Sequence, residues 1–392
     1  MEKNFMTKLV RLGEKVPKSI STPKSAPIYM SSSFSFNDVD ELEKVYAKEE
    51  HGYVYSRMSN PGQDALKEIM ANIDEGEEAQ VFSSGMGAIT MSILAHVKSG
   101  DHIIADEVLY GGSFQFLKEE LKNFNIEVSF INMTKDNIEN YFKTNTKIVY
   151  METISNPLME VIDIRKLSKI CKKHNAKLIV DNTFATPIIC QPLKLGADVV
   201  VYSATKYLCG HSDIIAGVAV SNRETMEKIS HTATIYGTTM SPFDSWVLIR
   251  SLRTLELRIR QHSKNALKLA EYLQSHEKIE KVYYPGLTTT NSFELAKEIF
   301  NDNLFGGMLS VDFKGGEKAV CDIIKELKSI KFVPSLAGVS TTLSYPVRTS
   351  HRAMTDEELI KSGISKGLLR ISTGLEDIDD IISEFDEALK RI

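Results

Sequence analysis

The chain has 392 residues, 42% of them hydrophobic, which is enough material for more than one sizeable core. Its formal net charge of -5 is mild, and the Lys-rich stretches are interleaved with Glu and Asp, so no basic stripe offers a nucleic-acid surface. Cys171, Cys190, Cys209 and Cys321 lie far apart without disulfide or metal-ligand spacing, Met1 to Arg11 lacks an apolar signal core, and no apolar run approaches the roughly 20 residues of a membrane span. A cytoplasmic protein with no membrane contact, no nucleic acid and no metal is expected.

In chain order, residues 1 to about 50 read as an irregular, extended arm broken by Pro17, Pro23, Pro27 and Ser31 to Ser33. Ala79 to Phe82 reads as a strand, Ser83 to Gly87 as a tight turn, and Ala88 to Val97 as an apolar helix. Unsatisfied N–H groups at such a helix start, with Ser84, Gly85 and Met86 in the turn, suit an anion; alone the motif reads as a plain strand-to-helix turn, and together with Lys206 and Asp181 as a phosphate site. Strands at His102 to Ala105, Ile126 to Phe130, Lys147 to Glu152 and Lys177 to Asp181 then alternate with helices at Gly112 to Asn123 and Arg165 to His174. That alternation predicts an α/β fold with a mainly parallel, doubly wound sheet.

Phe243 to Gln274 reads as one long connector helix, with Leu248, Leu252, Leu255 and Ile259 spaced three or four apart. Beyond it, strands near Gly307 to Phe313 and Leu368 to Ser372 and helices near Glu317 to Lys328 and Asp377 to Arg391 predict a smaller C-terminal α/β domain. The expected division is an N-terminal arm over 1–55, a large domain over 56–250, and the connector with the small domain over 251–392.

The chemistry concentrates in Ser203-Ala204-Thr205-Lys206-Tyr207-Leu208, which follows the apolar run Asp198 to Tyr202. A lysine at a strand end can condense with the aldehyde of pyridoxal phosphate, and the hydroxyls of Ser203 and Thr205 can donate to its phosphate. Alone, the hexapeptide is equally an ordinary surface feature. Asp181, ending its own strand, supplies a carboxylate that would keep the cofactor's ring nitrogen protonated. Strand ends of an open α/β sheet converge on one crevice, although an Asx turn is the plainer fate of such an aspartate. Arg370, inside the apolar run Leu368 to Ser372, requires an anion: a substrate carboxylate that fits its fork, or a buried aspartate of the chain. His211 and Cys209, without a third ligand or an orienting acid, read as packing or loop residues.

Landmarks run in order along nearly the whole chain: Tyr55-Ser56-Arg57 with Asn60-Pro61, Ser83-Ser84-Gly85-Met86, Leu109-Tyr110-Gly111-Gly112, Glu152 with Asn156-Pro157, Asp181-Asn182-Thr183, Ser203-Ala204-Thr205-Lys206, Ser241-Pro242 and Leu369-Arg370-Ile371-Ser372. In these the chain resembles the Cys/Met-metabolism family of pyridoxal-phosphate enzymes, which contains cystathionine lyases and synthases, methionine γ-lyases and acylhomoserine sulfhydrylases. The resemblance implies fold type I, the aspartate-aminotransferase-like fold, and a homotetramer built as a dimer of dimers. It implies Lys206 and Tyr110 as catalytic residues, Tyr110 stacking on the cofactor ring near the leaving sulfur. Ser84, Gly85, Met86, Asn156, Asp181, Ser203 and Thr205 would hold the cofactor, with Tyr55 and Arg57 reaching the phosphate in the neighbouring subunit. Arg370 and Ser335 would meet the substrate.

The activity implied is that of a carbon–sulfur lyase acting on methionine, homocysteine, cystathionine or cysteine, by γ-elimination in preference to β-elimination. The alternatives are a γ-replacement synthase that joins an acylhomoserine to a thiol and, from another class, a cofactor-bound regulatory protein without turnover. Gly112 and Ala233-Thr234 stand where methionine γ-lyases carry a cysteine and a Lys-Asp pair, and Pro334 where many cystathionine γ-lyases carry a glutamate. Strict specificity for either substrate is therefore not expected.

Overall fold

The computed structural model describes residues 20–352 and 354–392, so the expected arm before residue 20 lies outside the described residues. Seven strands form the larger sheet: β1 (Glu78–Phe82), β2 (His102–Asp106), β3 (Glu127–Ile131), β4 (Thr146–Glu152), β5 (Lys177–Asp181), β6 (Val199–Ser203) and β7 (Gly217–Ser221), in the order β1-β7-β6-β5-β4-β2-β3. Only β7 runs against its neighbours; the pairs β6–β5, β5–β4, β4–β2 and β2–β3 are parallel, as expected.

Successive residues of a strand face opposite sides, and the apolar runs of the central strands divide accordingly. Val149, Met151, Leu178, Val180 and Val200 enter one core, which the helices Pro61–Ile73 and Ile164–Lys173 cover with Leu66, Met70, Leu167 and Cys171. Ile148, Tyr150, Ile179, Val199 and Val201 enter the other, beneath Ala88, Ile89, Met91 and Ile93 of the helix Gly85–Leu94. Both faces are buried, which is why these strands are apolar without alternation and why the sheet is doubly wound.

The smaller sheet contains β8 (Ile279–Tyr283), β9 (Met308–Phe313), β10 (Lys331–Phe332), β11 (Thr342–Ser344) and β12 (Leu368–Ser372), in the order β10-β11-β12-β9-β8. It is antiparallel except between β10 and β11. The strand and helix at Leu368–Ser372 and Ile378–Arg391 lie where the sequence puts them. β8, β10 and β11 carry too short or too polar a run to announce themselves.

Three local expectations are corrected. The region read as an irregular arm contains a helix, Val39–Tyr46, whose start is signalled by the cap Asp38, accepting from Glu41 N, and by Asp40 and Glu41 in the first turn. The helix after β1 begins at Gly85 and not at Ala88, because the Ser84 hydroxyl accepts the N–H of Gly87. The long connector is two helices, Pro242–Leu252 and Leu255–Gln274. At the break, the buried guanidinium of Arg258 donates back to Ser251 O at 3.1 Å and across to Tyr207 O at 2.7 Å and Leu208 O at 3.2 Å. Among the described residues, no helix is long and apolar enough to cross a membrane, and the four cysteines are free.

Candidate active site

The carboxyl ends of β4, β5 and β6 deliver Glu152, Asp181 and Ser203 to one cavity of about 690 Å³. Ser84, Gly85 and Met86 reach it from the turn after β1, and Tyr110 from the loop after β2. Asn156, Thr205 and Lys206 complete the large-sheet side, while Ser335 and Arg370 come from the smaller sheet and the loop after β10. The cavity thus lies where the two sheets meet. Another cavity, of about 580 Å³, between segments 133–138 and 280–292 contains none of the expected site residues.

Lys206 Nζ donates to Ser335 Oγ at 3.1 Å, and burial together with the nearby Arg370 charge lowers its pKa to about 8. Asp181 is 7% exposed and accepts from Thr183 N at 3.0 Å, from the Thr183 hydroxyl and from Tyr150 Oη at 3.5 Å. Burial pushes Asp181 up to about 6, while the Thr183 donors oppose that shift by stabilising the anion. The Asx-turn geometry is present, but the carboxylate also faces the cavity, so the two readings of Asp181 coexist. Thr183 then accepts from Ser203 N at 2.8 Å, which ties the ends of β5 and β6 together beneath the lysine.

Arg370, 4% exposed, pairs with Ser310 of β9 and Ser344 of β11 through its backbone, so its side chain leaves a central strand. Its Nη1 donates to Asn156 Oδ1 at 2.7 Å, and its Nε has no partner. Burial lowers its pKa to about 10, against the opposing pull of Glu152. The buried aspartate of the chain expected as one possible partner is not there: among the described residues no carboxylate is ion-paired with this guanidinium. A buried donor without an acceptor is costly in an isolated chain. A planar carboxylate in the cavity would supply such an acceptor.

At the other end, Ser84 caps the helix Gly85–Leu94, whose first N–H groups have no intrahelical acceptor. A Cβ on Gly85 would stand 2.6 Å from Ser203 Cβ, so only glycine lets the helix start approach the end of β6. The hydroxyl expected from Thr205 is otherwise engaged: it donates to Ala216 O at 3.2 Å and accepts from Ala216 N at 3.0 Å. That bond pair fixes the turn carrying Lys206, and Ser203 keeps the hydroxyl without such a commitment. Tyr110 is half exposed at the wall, its N–H donating to Glu152 Oε1 at 2.7 Å.

Tyr55 and Arg57 are not brought to this cavity. Arg57 Nη1 donates to Thr234 O at 2.8 Å, and its guanidinium lies 5.8 Å from the Tyr55 ring centre on an exposed surface. Cys209 Sγ donates to Asp213 Oδ1 at 3.0 Å and His211 Nδ1 lies 2.7 Å from Cys209 O; neither residue lines the cavity. Glu152 and Thr183 enter the sequence reading only as landmarks; their position at or just past an apolar strand's end was the signal that they face the crevice.

An amine of lowered proton affinity, a buried carboxylate, a capped helix start and a guanidinium with an open donor form a set that fits pyridoxal phosphate and an amino acid. The model for the family described as Cys/Met metabolism PLP-dependent enzyme matches residues 6–390. The chain is 40% identical over 379 residues to an L-methionine gamma-lyase of Fusobacterium nucleatum subsp. polymorphum, covering 96% of this chain and 95% of that protein. It is 38% identical over 390 residues to a cystathionine beta-lyase of Lactococcus lactis subsp. cremoris, covering 99% of each. A Campylobacter jejuni structure described as an O-acetylhomoserine (thiol)-lyase, containing N'-pyridoxyl-lysine-5'-monophosphate, superposes with a TM-score of 0.89 at 31% identity, over 93% of this chain and 95% of that one. Sequence landmarks, cavity and comparisons agree that this chain belongs to the family of Cys/Met-metabolism PLP-dependent enzymes.

Proposed function

We propose that the chain is a carbon–sulfur lyase of sulfur amino acids, releasing a 2-oxo acid, ammonia and a thiol, with γ-elimination favoured over β-elimination. The observation that carries this reading is the single cavity in which Lys206, Asp181 and the open donor of Arg370 meet. Pyridoxal phosphate, when bound, supplies an electron sink for carbanion chemistry next to the amino group. Ser84, Gly85, Met86 and Ser203 would hold its phosphate, with Thr205 fixing the turn beside them; Asp181 would supply the counter-charge for its ring nitrogen, and Asn156 and Tyr110 would complete its pocket.

Arg370 orients the amino acid by its carboxylate through the free Nε and the outer nitrogens. The Lys206 amine, with its proton affinity lowered, is a base suited to removing the Cα proton near neutral pH. Tyr110, a lining residue of the cavity, gives a proton to the departing sulfur in this reading. Ile154, Ile215, Phe332 and Pro334 form an apolar wall for a thioether chain, and Ser335, bonded to Lys206, borders it.

Because Tyr55 and Arg57 lie outside their own chain's cavity, they serve the phosphate end of a partner's site, in a homodimer that pairs into a tetramer. A cytoplasmic location accords with this chemistry. The reading is tested by supplying methionine, homocysteine, cysteine, cystathionine and O-acetylhomoserine, each with and without added thiol. Release of 2-oxo acid and ammonia from the thioether or thiol substrates is expected. Product that requires added thiol and forms without 2-oxo acid would identify a γ-replacement synthase, and absence of any turnover a binding protein.

A further inference from the structure

We propose that Glu152 is a positioning residue: a neutral carboxyl group that holds Tyr110 at the cavity wall and leaves Asp181 as the only buried anion beside the cofactor. The inference rests on reading this cavity as the active site and goes beyond it to a residue that the reading does not use.

Glu152 and Asp181 are the last residues of adjacent parallel strands and are partners in the same register. Side chains paired in this way project to one face from backbones about 4.8 Å apart. Both line the cavity, and both are nearly sealed from water, at 6% and 7% exposure. Two carboxylates so placed cannot both stay ionised at modest cost, and one proton is retained between them. The hydrogen-bond donors decide which group keeps it. Asp181 receives two bonds from Thr183 and one from Tyr150, all of which favour an anion. Glu152 receives one, from Tyr110 N. The proton therefore belongs on Glu152.

The other charged and titratable groups facing Glu152 leave this assignment intact. Asp106 at the end of β2 adds a further acid, Tyr150 lies on its own strand, and Arg370 on β12, which does not form an ion pair with Glu152, opposes them as a cation, while the Lys206 amine lines the same cavity. Burial and the Asp181 charge raise the Glu152 pKa well above its ordinary value, outweighing Arg370.

Tyr110 O accepts from Phe114 N at 3.0 Å, and among the described residues the one side-chain partner of the Tyr110 backbone N–H is Glu152. Tyr110 precedes the helix Gly111–Gln115 without a side-chain cap of its own. The turn is packed tightly, since a Cβ on Gly111 would stand 1.9 Å from Ser350 O. The Glu152 carboxyl, reaching across from β4, is the polar anchor for its N–H. A neutral acceptor makes that anchor independent of pH through the working range.

The test compares Glu152→Gln with Glu152→Ala. The amide keeps the size, the acceptor and the absence of charge, so Glu152→Gln should retain turnover within about twofold, with an unchanged pH profile of the loaded enzyme's visible absorbance. Loss of the acceptor in Glu152→Ala should lower kcat by on the order of tenfold or more. Cofactor-free wild type minus Glu152→Gln should show the infrared carbonyl stretch of a protonated carboxylic acid at neutral pH. Equal loss in both variants, no loss in either, or carboxylate bands in the infrared difference would each overturn the proposal. The infrared result does not require catalysis, so an inactive wild type would count against the proposed function and not against the state of Glu152.

Discussion

Lys206 shows how a residue's position sets its chemistry. Its amine is mostly buried, close to a fixed guanidinium, and has an ordinary hydroxyl as its polar partner, so the charged form is disfavoured and its pKa lies near 8. The unfolded chain binds that proton with a pKa of about 10.4, so between these values the unfolded state carries more protons and this group's contribution to stability rises with pH. Replacing it in cofactor-free protein by Lys206→Met removes the buried cation. The variant should be more stable than wild type at pH 7, and that advantage should shrink by up to about 3 kcal/mol as pH rises from 8 to 10. Parallel urea titrations at several pH values measure it, and a pH-independent difference would contradict the assignment. Lys206 and Asp181 were legible because strand ends and chemistry coincide there. The engagement of Thr205 with Ala216 was not, because β7 was not recognised and nothing local shows which backbone will meet that hydroxyl.

Burial alone did not make an element legible: β3, mostly half-exposed, was read from the sequence, whereas β7, buried throughout, was not. β5 occupies the span its sequence announces, since Lys177 to Asp181 is an apolar run closed by a turn former. β7 and the helix Arg223–Tyr236 passed unremarked, although Asn222 caps the helix through Thr225 N and Gly237, at φ 75°, ends it. The division of the connector into two helices depends on Arg258, whose partners at 207 and 208 are some fifty positions away in sequence. Helical periodicity alone cannot register such a contact. Its consequence is functional: the helix Leu255–Gln274 clamps the two carbonyls that follow Lys206, so the smaller sheet's supporting helix also steadies the lysine turn.

At the scale of the whole molecule, the larger and smaller sheets of one chain together line the cavity. Tyr55 and Arg57 are exposed on a surface that also displays Ile235 and Tyr236, large apolar side chains suited to burial against a second copy. If Arg57 serves the partner's cavity, inactive Lys206→Ala and Arg57→Ala subunits should regain activity when mixed and allowed to exchange, because one site of each mixed dimer then has both groups intact. Mixtures no more active than their parents would place Arg57 in the service of its own chain. The family was legible from the order of landmarks, and the expectation that Tyr55 and Arg57 reach a neighbouring subunit came with that resemblance and not from any local feature of the sequence.

The most direct measurement of the central claim is hydride reduction of the pyridoxal-phosphate-loaded protein followed by peptide mass mapping. Stable attachment of the pyridoxyl phosphate group to Lys206, and its loss from that peptide in Lys206→Ala, is the result expected. A modification that maps to another lysine, or a protein that takes up no cofactor at all, would contradict it.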